Sequence, residues 1–188
     1  MSPILGIFAS AVSVATTSFE SIATATGTGS SGTITLSSIP GTFAHLQLRL
    51  IGKRSAMSDV AYYIRLNSDT GSNYDYHYLR GRLGGATAGV INNESYIQLG
   101  GTPNSSANTN VHTVSVVDIL DYTNTNKYTT VRLLSGCDEN ISSSSDTYVW
   151  FGSGLWRNTN AITSISVILD SGNWSTTTQV ALYGIKAA

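Results

Sequence analysis

Charge is scarce in this sequence: Asp, Glu, Lys and Arg together make up 11% of its 188 residues, against roughly 25% in an ordinary soluble domain. Ten basic residues against eleven acidic ones leave a net charge of −1. With no basic excess to release phosphate counterions, a general nucleic-acid binder is excluded. A single cysteine, Cys137, rules out an intrachain disulfide and any cysteine-based zinc cluster. No Lys or Arg precedes Arg49, so the basic start of a secretory signal is missing, although Phe8-Ala9-Ser10-Ala11 imitates a cleavage site. The apolar or small run from Ile4 to Ala15 is too short for a membrane span of about 20 residues. No stretch carries a helical stripe of useful length.

Hydroxyl residues fill the space that charge leaves. There are 27 Ser and 23 Thr, a composition suited to extended strands and exposed turns and poor for helices. Period-two alternation recurs along the chain. It is clearest in Thr33–Leu36, in Leu46–Leu50, in Tyr62–Asn67 and in Tyr74, Tyr76 and Tyr78, which alternate with Asp75 and His77. Further strands are expected at 95–99, 111–120, 128–134, 147–151, 162–169 and 178–185. Val111–Leu120 reads as a strand covered on both faces, because it is apolar and β-branched in both phases. Turn-forming clusters separate these runs: Ser68–Asn73, Gly84-Gly85, Thr102–Ser106, Thr123–Asn126, four serines at 142–145, and Asp170–Asn173. About ten short strands at this spacing predict an all-β antiparallel β-sandwich. The expected organisation is an N-terminal arm over 1–17 followed by one β-sandwich domain over 18–188. The arm's apolar residues, Ile4, Leu5, Ile7, Phe8 and Val12, have two readings. They form either a first core strand or an extension that docks on a neighbouring subunit.

Residues that could carry chemistry are few. Cys137 and the histidines His45, His77 and His112 could meet only through the fold, and a lone cysteine is more often a small buried hydrophobe. The histidines lack metal-ligand spacing. Asp118, Asp121, Asn124 and Asn126 offer oxygens near one turn without an EF-hand pattern. The glutamates Glu20, Glu94 and Glu139 include no marked acid pair for glycoside cleavage. Gly27–Gly32 lacks the Lys-Ser/Thr ending of a phosphate loop. Four Asn-x-Ser sequons, at Asn93, Asn104, Asn140 and Asn173, are expected by chance in so Ser-rich a chain. No catalytic residue, cofactor or metal is assigned, and the protein is read as a non-enzyme. The aromatics, among them Tyr62, Tyr63, Tyr96, Trp150, Trp156 and Trp174, supply possible sugar contacts, but most fall within strands. Arg80 and Arg82 read as an exposed strand face or a polyanion contact.

Several segments in order carry a resemblance. They are Ser2–Ala11, Phe19–Thr24, Ile34–Pro40, His45–Arg49, Arg65–Tyr74, Asp118–Tyr128, Gly154–Ile162 and Ala181–Lys186. The series resembles a group of tailed-bacteriophage virion proteins and spans nearly the whole chain. The resemblance implies a jelly-roll β-sandwich serving as a capsid decoration, or cement, protein that binds the major capsid lattice, or as a tail or fibre component that binds host glycan. It further implies a virion location, a trimer as the oligomer, other virion proteins as partners, and no catalytic set. No extended shaft or repeat follows the domain, which departs from a long fibre.

Overall fold

Side chains that alternate apolar and polar can satisfy water on one face and a core on the other only as strands. The computed structural model describes residues 18–56, 59–103, 110–139 and 147–186. The expected arm residues Ile4, Leu5, Ile7, Phe8 and Val12 lie outside them. Among the described residues there are twelve strands and no helix. In chain order they are β1 (Phe19–Thr26), β2 (Thr33–Leu36), β3 (His45–Gly52), β4 (Ala61–Leu66), β5 (Tyr74–Arg82) and β6 (Gly85–Glu94). The second half contributes β7 (Ile97–Gly101), β8 (Thr113–Leu120), β9 (Thr129–Cys137), β10 (Tyr148–Trp156), β11 (Ile165–Leu169) and β12 (Gln179–Ile185). All pairings are antiparallel.

Two sheets form the all-β sandwich. The larger runs β1-β12-β3-β8-β9-β10-β5-β6 and the smaller β2-β11-β4-β7. The pairings are nested: β1 with β12, β2 with β11, β3 with β8 and β4 with β7. Successive members of that series alternate between the sheets, which is the winding of a jelly roll. Two hairpin additions decorate it. The β5–β6 pair is inserted between β4 and β7, and β9–β10 between β8 and β11; together they extend the larger sheet by four strands on one side.

Leucines 46, 48 and 50 on β3, Val117 and Ile119 on β8, and Val131 and Leu133 on β9 form the inner face of the larger sheet, all essentially buried. They meet Ile34, Leu36, Tyr62, Ile64, Leu66, Ile97, Leu99, Ile165, Val167 and Leu169 of the smaller sheet. Trp156 and Trp174 seal opposite regions of this core. The indole of Trp174 meets Tyr62 edge-on at 5.8 Å. That of Trp156 lies 6.3 Å from Tyr74 and donates its N–H to Asp69 Oδ2 at 2.8 Å.

One part of the interface is polar. Tyr62 shares hydrogen bonds with Thr113 Oγ1 (3.0 Å) and Ser115 Oγ (2.7 Å), and Tyr148 with Thr113 Oγ1 (2.9 Å). Tyr148 also donates to the Gly101 carbonyl, and Ser135 donates to that of Leu99. Burial pushes the Tyr62 and Tyr148 phenols above their ordinary range, against the partial relief of these bonds. Gly100, at φ 157°, leaves room for the network: a Cβ there would stand 2.5 Å from the Tyr148 hydroxyl.

Candidate functional site

The residues that carried possible chemistry in the sequence do not form one constellation. His45 stands at the start of β3, where its Nδ1 accepts the Asp121 N–H at 3.0 Å. His77 is exposed on β5. His112 and buried Cys137 line one broad hollow, but both ring nitrogens of His112 are engaged elsewhere, by the Asn110 carbonyl and Thr177 Oγ1. The four oxygen-bearing residues of the Asp118–Asn126 turn also part company. Asp118 binds Arg132 and Gln47, whereas Asp121 binds Lys127 and lies 3.4 Å from His45. Among the described residues no group of three or more His, Cys, Asp or Glu side chains is placed to hold a metal ion. Glu20 pairs with Lys186 at the edge of β1.

Two other features stand out, and both follow from the unequal size of the sheets. The first is the outer face of the larger sheet. Strand register lines up Arg49, Val116, Leu134, Phe151, Leu79 and Ala88 across six strands. The neighbouring row is Ile51, Val114, Gly136, Val149, Gly81 and Ala86. At about 4.8 Å per strand these rows span about 24 Å. Ile51, Leu79, Val114, Leu134, Val149 and Phe151 are each at least half exposed. Scattered exposed apolar residues are ordinary, but a contiguous patch of them is not. The sequence reading of Val111–Leu120 as covered on both faces is therefore corrected. The smaller sheet covers Val117 and Ile119, while Val114, Val116 and Leu120 on the opposite phase are open.

The second feature lies on the inner face, where the larger sheet outruns the smaller. The four-stranded sheet ends at β7, while the hairpin extension carries the larger sheet on through β10, β5 and β6. Register sets Arg82 opposite Tyr148, Arg80 opposite Trp150 and Tyr78 opposite Gly152. Gly152 carries no side chain, so the Trp150 ring leans diagonally onto Tyr78, with centroids 4.3 Å apart. The Arg80 guanidinium lies 5.7 Å from the Trp150 ring and 6.0 Å from that of Tyr78, a cation–π arrangement. A cavity of about 120 Å³ opens here between β7 and β5, lined by Asp59, Ala61, Arg80, Arg82, Gln98, Gly100, Gly101, Tyr148 and Trp150.

This cavity is rich in uncommitted donors. The Nε atoms of Arg80 and Arg82 and the indole N–H of Trp150 are buried without a hydrogen-bond acceptor. Trp150 itself is only 3% exposed. The sequence read Arg80 and Arg82 as an exposed strand face or a polyanion contact; both are half-buried on the inner face. The available signal was phase: the arginines continue the even-numbered series Tyr74, Tyr76, Tyr78, whose first two members are buried in the core.

No family model matches this chain and no curated protein matches it. Among solved structures, a protein of unknown function from Shewanella oneidensis MR-1 aligns at 11% identity, over 90% of this chain and 77% of that one, with a TM-score of 0.19.

Proposed function

We propose that this protein is a structural component of a tailed-bacteriophage virion, a capsid decoration protein that stabilises the major capsid lattice. The sequence resemblance supplies the setting. The observation that carries the reading is the apolar outer face of the eight-stranded sheet. Val114, Val116, Leu134, Val149 and Phe151 are exposed in the isolated chain, on the face that an antiparallel sheet with one covered side leaves polar. Burying such a face against a capsid subunit returns about 25 cal/mol for each Å² of apolar surface removed from water. Low charge on the chain lessens the desolvation cost of that contact. The apolar N-terminal segment adds a second contact in this reading, and a trimer on a local threefold is the assembly that the resemblance favours. Quantitative mass spectrometry of purified virions, scaled to the major capsid protein, tests it. Hundreds of copies per particle are expected; a few copies would move the protein to the tail.

A second reading, a tail or fibre component that binds host surface glycan, is favoured by a different observation. The Arg80–Arg82–Trp150 cavity presents buried donors without acceptors.

A further inference from the structure

We infer that the cavity between β5, β7 and β10 is a binding site for a carboxylate-bearing sugar, a hexuronate unit of an acidic polysaccharide. Three donors face unmet demand in one small space: Arg80 Nε, Arg82 Nε and the Trp150 indole N–H. A buried donor without an acceptor is costly to keep, and three at one cavity mark positions that a bound acceptor group fills. Arginine forks match the two oxygens of a carboxylate, and charge-assisted bonds of this kind are the strong ones.

Charge balance selects among anions. Arg80 and Arg82 contribute two positive charges to the lining and Asp59 one negative charge, so the walls carry a net +1. A monoanionic carboxylate neutralises that charge, whereas a phosphate dianion overshoots it. The remaining lining selects among carboxylates. The Tyr148 phenol and the Gly101 amide are held by each other and by Thr113, but Gln98, the second lone pairs of the Gly100 and Gly101 carbonyls and the Asp59 carboxylate are polar groups of both senses, which suits a ring bearing several hydroxyls rather than an aliphatic acid. Trp150 and Tyr78 are stacked on each other; the indole therefore contributes its N–H edge to the ligand rather than a sugar-stacking face. For its ligand class this inference rests on the host-glycan reading, but it concerns the cavity alone and copy number is measured independently of it.

The test is an NMR titration of the full chain, following the Trp150 indole N–H and the Gly101 amide, with D-glucuronate, D-glucose, acetate and inorganic phosphate as separate probes. Glucuronate is expected to shift both signals saturably, with glucose at least about tenfold weaker because it lacks the charge-assisted bonds. Arg82→Gln removes a side chain that makes no hydrogen bond or ion pair among the described residues and should weaken glucuronate binding by about tenfold. Trp150→Phe keeps a ring against Tyr78, loses the N–H, and should cost about fivefold, read at Gly101. Acetate or phosphate binding as tightly as glucuronate would overturn the sugar assignment. An absence of shifts with glucuronate, or undiminished binding in Arg82→Gln, would overturn the site itself. If the virion carries few copies and glucuronate still does not bind, the tail position stands and this cavity is not its glycan site.

Discussion

Leu134 of β9 and Phe151 of β10 face each other across one antiparallel register step on the outer side of the larger sheet, 54% and 52% exposed. Apolar cross-strand pairs ordinarily stabilise a sheet by shielding each other under a second layer. Here the pair lies at the centre of one open row with a second beside it, so it does little for the isolated chain; in the decoration reading it is part of the surface buried on the capsid.

That asymmetry predicts separable effects. Leu134→Lys and Phe151→Glu should leave the domain's stability within about 0.5 kcal/mol of wild type, as surface substitutions do, and move its Tm by no more than about 2 °C at this chain length. In the decoration reading the same variants should be lost from virions. Thermal melts alongside incorporation assays check both halves; variants that unfold would mean that the rows stabilise the chain itself.

The buried hydroxyl network gives a second expectation. Tyr62 and Tyr148 share Thr113 Oγ1 as a partner, so their contributions should not add. Tyr62→Phe and Tyr148→Phe should each destabilise by about 1–3 kcal/mol by stranding a buried hydroxyl. The double variant should depart from the sum of the two by about 0.5 kcal/mol or more. Urea unfolding of the four proteins measures the coupling.

Gly100 tests the same region sterically. A Cβ at this position would enter the space of the Tyr148 hydroxyl at 2.5 Å and of the Tyr62 hydroxyl at 3.1 Å, from a backbone at φ 157°. Gly100→Ala should cost about 1–3 kcal/mol, with an upfield or downfield change at the Gly101 amide, which donates to Tyr148. Unchanged stability would show that the network can shift aside.

Acid sensitivity should be traceable to Asp69. Burial alone would raise its carboxyl, but hydrogen bonds from the Trp156 indole, the Asn73 amide and the Gly71 N–H outweigh that and hold it below its ordinary value. A folded-state value below the unfolded one means stabilisation that is full above about pH 4 and is lost as pH falls through the folded value. Tryptophan emission should therefore change over that acid window. Asp69→Asn should lose that stabilisation already at neutral pH and flatten the acid limb.

In the decoration reading, deleting residues 2–15 should leave thermal stability unchanged, because β1, from Phe19 on, is held by its own pairing with β12. In the decoration reading the truncated protein should fail to join virions. Wild-type occupancy after truncation would remove the arm from the contact.

Ten of the strands were legible as alternation or as short apolar, β-branched runs, because each has an apolar inner face. The two that were not are β1 and β6. β1 (Phe19–Thr26) shifts register between Ser21 and Ala23, which breaks the period-two signal at mid-strand. β6 (Gly85–Glu94) is an edge strand with few buried positions, so no apolar phase is imposed on it. Its turn was legible: Gly84 and Gly85 both adopt positive φ. The cavity was hidden for another reason. Whether Arg80 faces water or a core depends on how far the opposing sheet extends, and that is decided by β7 ending the smaller sheet, a property of no local segment. The outer face was half legible, since the doubly apolar pattern of Val111–Leu120 marked a strand in need of two covers.

The nested pairing also orders the events of synthesis. Strand β12 lies between β1 and β3 in the larger sheet, so among the described strands β1 has no neighbour in that sheet until β12 has been made. The hairpins β5–β6 and β8–β9–β10 can form as they emerge, from contacts close in sequence, whereas closing the sheet joins Phe19 to Ile185. Long-range closure of this kind is slow. A nascent chain stalled before Gln179 therefore carries β1 unpaired and an unsealed flank on β3, and the seven residues of β12 cover both at once.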